Sequence, residues 1–353
     1  MSSFETTTSR HRRRPRLAAV AAAATGLALA LVAASPAAPA WAAPGHHARE
    51  RDPGPDVVQG FLLRHGRFTA LDRRRGTDDA PNSIDNRGRI VGFSVDEEGT
   101  AHGYLYEHGR YRTIDPPQAS AAGTSTFFRF PGSYPSRIND EGTVVGAYTD
   151  EQGLLHGYVR EHGRYRTVDY PGAVQTTIDG INNDGDLVGY YLDDQGIVHG
   201  FLRERGRFRT IDHPGTTFSG LVDINDRDEM VGGYIDARGF AHGFAVDRRG
   251  HMTEIEAPGG QVELIASDID NRGRILGYFA EQVGDTFPVH GFLLTPARGH
   301  DRFRLIDAPG DRVRTETTGL NDRGDIVGFG DDGRMPVTAM STMPAMSTAA
   351  EDG

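Results

Sequence analysis

The sequence predicts an all-β protein: a β-propeller of six four-stranded blades, closed by pairing of its N- and C-terminal half-blades. Three observations predict it. A two-part signature recurs at blade-like spacing, turn residues cut each copy into four short strands, and the incomplete copies at the two ends complement each other.

The first signature, I-[ND]-[ND]-x-G-x-[IVL]-[VL]-G, begins at Ile84, Ile138, Ile181, Ile224, Ile269 and, with Leu in first place, Leu320. Successive copies are 54, 43, 43, 45 and 51 residues apart. The second, H-G-[FY], stands at His102, His156, His199, His242 and His290, and Gln59-Gly60-Phe61 is a worn first copy. Each copy closes on an aromatic and a T-[IV]-D-like run such as Phe208 to Asp212.

In the copy from Ile181 to Asp212, strand one ends at Ile181, strand two is the Leu-Val-Gly-Tyr run, strand three is His-Gly-Phe-Leu, and strand four is Phe-Arg-Thr-Ile. The links are turn chemistry. Asn and Asp side chains close Asx turns, and Gly supplies the positive φ that tight hairpins need, at Asn182 to Gly185, Asp193 to Gly196 and Arg203 to Gly206. The fourth link, His213 to Gly220, is longer and carries Pro. A four-strand meander with one longer crossover is blade wiring.

At the ends, Gln59 to Asp72 supplies only strands three and four, whereas Gly319 to Phe329 supplies only strands one and two. Pairing them completes a blade and removes exposed sheet edges.

The flanks divide the rest. Residues 1–42 carry five Arg, an apolar run from Leu17 to Ala34 and the site Ala40-Trp41-Ala42, the organisation of a signal peptide. Residues 43–56 read as a disordered lead-in, 57–330 as the propeller, and 331–353, with its Met-Ser-Thr repetition, as a flexible tail. The predicted location is therefore extracellular. Removing residues 1–42 takes away five Arg and one Glu and moves the formal charge from -11 to -15. So acidic a domain argues against nucleic acid and anionic membrane as partners. With no Cys, thiolate chemistry and disulfides are excluded.

The run I-N-D-x-G-x-[IV]-V-G followed by His-Gly-Phe resembles the HAF-repeat family of bacterial extracellular proteins over Gln59 to Phe329. Gly stands here in place of that family's Ala in every copy. The resemblance implies a secreted repeat protein without an assigned activity and supplies no catalytic residues.

The residues themselves give the same order of expectations. His102, His156, His199, His242 and His290, with Asn139, Asn182, Asn225 and Asn321, read as structural: each His is expected to pin its blade by bonding the closing Asp or an I-N-D side chain. Gly189 and Gly200 are expected to make room for an aromatic of the next blade. No metal site, cofactor or catalytic group is assigned, since Gly-x-Ser-x-Gly and His-Glu-x-x-His are absent.

Function is expected where copies disagree. The crossover Pro116 to Ser136 holds Phe127, Phe128, Arg129, Phe130 and Tyr134, and the link Ala280 to Val289 holds Phe287. Both emerge on one face, which suits a platform for a cell-wall glycan or a protein. The other reading of Phe127 to Phe130 is a cover for the blade edge. A monomeric binding module is the expected function; a propeller-type lyase or glycosidase and a purely structural surface protein are the alternatives.

Overall fold

The structure is a computed structural model that describes residues 59–71, 78–122, 128, 130–257, 261–284, 286–297, 301–309 and 314–331. The signal-like segment 1–42, the lead-in 43–56 and the tail after 331 lie outside the described residues, as do Phe127 and Arg129.

The described residues form strands and no helix. The chain begins with β1 (Gln59–Arg64) and β2 (Arg67–Leu71). Four separate four-stranded blades follow. The first is β3 (Asp78–Ile84), β4 (Ile90–Val95), β5 (Ala101–Glu107) and β6 (Arg110–Thr113). The second is β7 (Ser133–Ile138), β8 (Val144–Thr149), β9 (Leu155–Glu161) and β10 (Arg164–Thr167). The third is β11 (Gln175–Ile181), β12 (Leu187–Leu192), β13 (Val198–Glu204) and β14 (Arg207–Thr210). The fourth is β15 (Ser219–Ile224), β16 (Met230–Ile235), β17 (Ala241–Val246) and β18 (Met252–Glu254). The chain ends in β19 (Gln261–Ile269), β20 (Ile275–Glu281), β21 (Val289–Thr295), β22 (Arg302–Ile306), β23 (Arg314–Leu320) and β24 (Ile326–Asp331).

These last six and the first two strands make one eight-stranded sheet. Within it β1 pairs antiparallel with β24, Gly60 opposite Phe329, so the two chain ends are joined by a ladder. The sheet's two meanders, β19 to β22 and β23-β24-β1-β2, pack on one another and are joined in the ladder by a single parallel pair, Val289 and Arg314. The first strands of successive units, β3, β7, β11, β15, β19 and β23, contact one another in cyclic order, β23 returning to β3, and therefore enclose an axis.

Turn chemistry sets the hairpins. Asp193 accepts from the N–H groups of Gln195 and Ile197 through Oδ1, closing the turn between strands two and three. The turn between β1 and β2 and the strand three to four turns of the first three blades put two residues at positive φ, as at Arg205 (48°) and Gly206 (80°), the geometry of a two-residue hairpin matched to strand twist. Each first strand also carries a bulge just before its signature, as between Ile178 and Gly180. A bulge re-aims side chains, and three of the residues that follow these bulges, Arg137, Asp223 and Asp268, meet one another across the first strands.

The glycines of the repeat are fixed by close backbone approach. A Cβ on Gly189 would lie 2.1 Å from the carbonyl oxygen of Thr177, and one on Gly200 would lie 2.4 Å from that of Ile211. What fills the space is backbone, not the aromatic ring of a neighbouring blade that the sequence led us to expect. Apolar clusters then seal the blades against one another. Val159 and Val168 pack on Ile178 and Phe201 of the next blade, and Leu105 and Ile114 pack on Ile138 and Val144.

Candidate functional site

The strand directions give the molecule two faces. One carries the signature turns between strands one and two. The other carries the crossovers and the turns between strands two and three.

On the first face the third residue of each signature forms a closed ring: Asn86, Asp140, Asn183, Asp226, Asn271, Asp322. Asn and Asp alternate, and each residue bonds the next. The backbone N–H and side-chain amide of Asn183 donate to the two carboxylate oxygens of Asp226, both at 2.8 Å. The N–H of Asp226 donates in turn to Asn271 Oδ1 at 2.8 Å. The ring closes where the N–H of Asp322 donates to Asn86 Oδ1 at 3.0 Å. Burial alone would raise Asp322, but the hydrogen bonds from Asn86 and Asn271 outweigh it and hold the carboxyl below its ordinary range. The alternation is visible in the sequence, yet it is legible only once the turns are known to meet.

The second signature position builds the struts beneath this ring. Asn139 accepts the N–H of Thr143 and donates through Nδ2 to the carbonyl of Asn182 in the next unit. Asn225 and Asn321 reach the carbonyls of Asp270 and Asp85 in the same way. Asn182 accepts the N–H of Asp186. Where Asp replaces Asn, at Asp85 and Asp270, an arginine four residues on takes over the strut. Arg89 bonds Asp85 and reaches the carbonyl of Asp140, and Arg274 bonds Asp270 and reaches that of Asn321. The sequence signal is D-N-R-G-R in place of N-D-x-G-x.

Under the ring lies an axial cavity of about 70 Å³, room for a few waters and far below the several hundred Å³ of a small-molecule pocket. Its inner wall departs from the repeat. At the place before each signature Ile or Leu stand Ser83, Arg137, Gly180, Asp223, Asp268 and Gly319. Arg137, 4% exposed, crosses the axis to Asp268 at 2.7 Å and Asp223 at 3.1 Å, and donates to the carbonyl of Ser267. Asp223 and Asp268 accept the N–H groups of Ile269 and Leu320. Burial pushes both carboxyls up, and the Arg137 guanidinium between them opposes the rise. This constellation escaped the sequence reading because its members are 45 to 131 residues apart.

The five histidines lie near the crossover face. His199 bonds the closing Asp212 through Nδ1 at 2.7 Å and the turn residue Asp193 through Nε2 at 3.3 Å. His102 is held likewise by Asp115 and Asp96, and His156 by Asp169 and Asp150. The second partner is thus the strand two to three turn, and not the I-N-D side chain. Among the described residues His242 is held by Asp236 alone, and His290 by Asp307 alone. Burial opposes the charge on His102 and His199, but the flanking carboxylates outweigh it and raise both. The hydrogen bond that His156 donates to Asp169 leads the rise at His156.

The aromatic crossover is placed as packing. Ser133 to Ser136 belong to β7, so the irregular link stops at Gly132. Phe128 and Tyr134, each 3% exposed, stack with ring centres 4.1 Å apart. The Tyr134 hydroxyl donates to the carbonyl of Phe130, whose ring packs against the same cluster. Burial raises Tyr134. These three rings roof the core instead of forming an exposed platform, because the apolar first residues of the neighbouring strands offer them more contact than solvent does. Phe287, in contrast, is 42% exposed.

No family model matches the chain, and no curated protein matches it. Among solved structures it is similar to a putative TolB from Agrobacterium tumefaciens, with a TM-score of 0.52 and 12% identity over 79% of this chain and 99% of that one. It is similar more distantly to virginiamycin B lyase from Staphylococcus aureus, with a TM-score of 0.43, 13% identity and coverage of 79% and 96%. A lectin from Aleuria aurantia follows, with a TM-score of 0.42, 10% identity and coverage of 69% and 86%. The first likeness defines the class of the protein, an all-β propeller, and at such identity it speaks for fold alone.

Proposed function

We propose that the protein is secreted through its N-terminal segment and acts outside the cell as a binding module, taking a cell-wall glycan or a protein on its crossover face. One observation carries the choice of face. Of the five large apolar residues left exposed among the described residues, Leu154, Val174, Val283 and Phe287 all sit in links of that face, and Leu305 lies on an outer strand. Apolar groups gathered on one side of an otherwise acidic surface are how a recognition face is built. On the opposite face the six Asn and Asp side chains of the signature turns are spent on their own ring. A lyase or glycosidase would need its acid and base at an open mouth, whereas Asp223 and Asp268 are 4% and 3% exposed and bound to Arg137.

The reading includes six blades. The eight-stranded sheet divides naturally into two meanders, and a ring that alternates Asn with Asp closes only on an even number of members. It also includes kinship with HAF-repeat proteins, on the signatures alone. The test is retention of the purified chain on cell-envelope preparations, compared with a Val283→Ser/Phe287→Ser variant. Deleting the crossover would be a poor test, since it strips Phe128 and Phe130 from the core. At least a fivefold loss of retention with an unchanged melting profile supports the proposal; undiminished retention overturns it.

A further inference from the structure

A second surface, independent of the crossover face, lies in the furrows between adjacent blades at the outer rim. Strand four is an edge strand, and in the first three blades it reads Arg-aromatic-Arg: Arg110 and Arg112, Arg164 and Arg166, Arg207 and Arg209. All six arginines are exposed. Charge on an edge strand has a plain purpose, to discourage pairing with another sheet. That purpose accounts for these arginines and leaves Arg160 and Arg203 unexplained, since they stand on the opposite wall, on strand three of the following blade.

In the furrow between the second and third blades, Arg166 shares its sheet face with its partner Val159, which packs against the third blade. Facing it is Arg203, its guanidinium 5.6 Å from the centre of the Phe208 ring. Burial first, and then the like charge of Arg166, pushes Arg203 below its ordinary range. In the furrow between the first and second blades, Arg112 pairs with Leu105, which packs toward the second blade. The opposing Arg160 lies over Tyr165 at 5.7 Å, and its Nε is buried without a hydrogen-bond partner. Among the described residues none of these four arginines is in an ion pair; the turn carboxylates Glu161 and Glu204 lie toward His162 and Arg205, each at 3.8 Å. At the other junctions the place of Arg160 and Arg203 is taken by Tyr106, Val246, Leu294 and Leu63.

We propose that these two furrows, each with guanidinium groups on both walls and an aromatic ring beneath one of them, bind a carboxylated polysaccharide. Guanidinium forks match carboxylate geometry in pairs, and an anion between two opposed cations relieves their repulsion. The aromatic ring under the inner arginine gives the sugar an apolar contact. A nucleic acid fits less well. A duplex carries one charge per ~1.7 Å of axis and would press on Asp115, Asp169, Glu161 and Glu204, which bound the furrows above and below.

The probe is polygalacturonate, with affinity measured by calorimetry on the purified chain at 150 mM salt, where diffuse attraction is screened beyond ~8 Å. Three double variants each remove two charges: Arg112→Gln/Arg160→Gln, Arg166→Gln/Arg203→Gln, and, as a control, Arg302→Gln/Arg304→Gln on β22. The expected result is about tenfold weaker binding for each furrow variant and less than a twofold change for the control, roughly 1.4 kcal/mol against 0.4. Equal loss in all three variants, absence of binding by the wild type, or tighter binding of duplex DNA than of polygalacturonate would each overturn the proposal. Because Val283 and Phe287 lie outside the furrows, their variant is expected to keep its polygalacturonate affinity, so failure of one reading leaves the other standing.

Discussion

Replacing Arg137 with methionine removes the guanidinium that Asp223 and Asp268 share, while keeping an unbranched side chain of similar length. Two carboxyls are then left at 4% and 3% exposure with no cation between them. Breaking a buried ion pair from one side costs about 3–5 kcal/mol, since the remaining charge stays desolvated. For a domain of this size that lowers Tm by on the order of 10 °C. The deficit has a pH signature. Burial already raises both carboxyls in the folded state, and Arg137 opposes that rise; without it they rise further. A carboxyl raised on folding contributes stability below its unfolded pKa and loses it as pH climbs through the folded value. The variant should therefore fall furthest behind the wild type at pH 7.5 and recover much of the gap at pH 4.5. Adding Asp223→Asn and Asp268→Asn should restore stability at neutral pH, because each amide oxygen can still accept the N–H of Ile269 or Leu320. Urea denaturation across that pH range checks the reasoning. A loss under 1 kcal/mol, or one equal at both pH values, would refute it.

Other measurements bear on the repeat itself. The clamps at His102, His156 and His199 are raised in the folded state, so their contribution is complete below the ordinary histidine value of about 6.5 and fades as pH rises through the folded one. Their partners Asp96, Asp150 and Asp193 are lowered and act oppositely, losing stability as pH falls through their folded values. Tm should accordingly peak between about pH 4 and 6.5, and a triple His→Gln variant should flatten the alkaline decline; an unchanged slope in calorimetry would count against the clamps. Gly200→Ala puts a Cβ 2.4 Å from a backbone oxygen and should cost about 1–3 kcal/mol by overpacking, read as a lower urea midpoint. Asn183→Asp places three carboxylates side by side in the ring, Asp140 and Asp226 being its neighbours. Destabilisation at pH 7 that disappears near pH 3.5 is expected, and a pH-independent effect would show that the ring is not held by this alternation.

What could be read from the sequence follows from the range of each interaction. Hairpins are local: Asp193 to Gly196 and Arg205-Gly206 state their own turns, and the period of the signatures states their repetition. The joining of Gln59–Arg64 to Ile326–Asp331 was legible for a different reason, since each end lacks what the other supplies. The axis was not legible. Arg137, Asp223 and Asp268 sit at one place of the repeat, but a repeat makes one expect sameness there, and only geometry shows that an odd residue in one unit answers odd residues in two others. The aromatic crossover misled in the converse way. Phe128, Phe130 and Tyr134 break the pattern of their link, as binding residues would, yet an insertion rich in rings has its lowest free energy against apolar surface when such surface is within reach. Departure from a repeat therefore marks two kinds of place, those where the fold repairs itself and those where it meets a partner. Exposure separates them: Phe128 is 3% exposed and Phe287 is 42%. By the same rule Arg203, partly exposed and facing Arg166, is assigned by our proposal to the second kind, together with Arg160 at the neighbouring furrow.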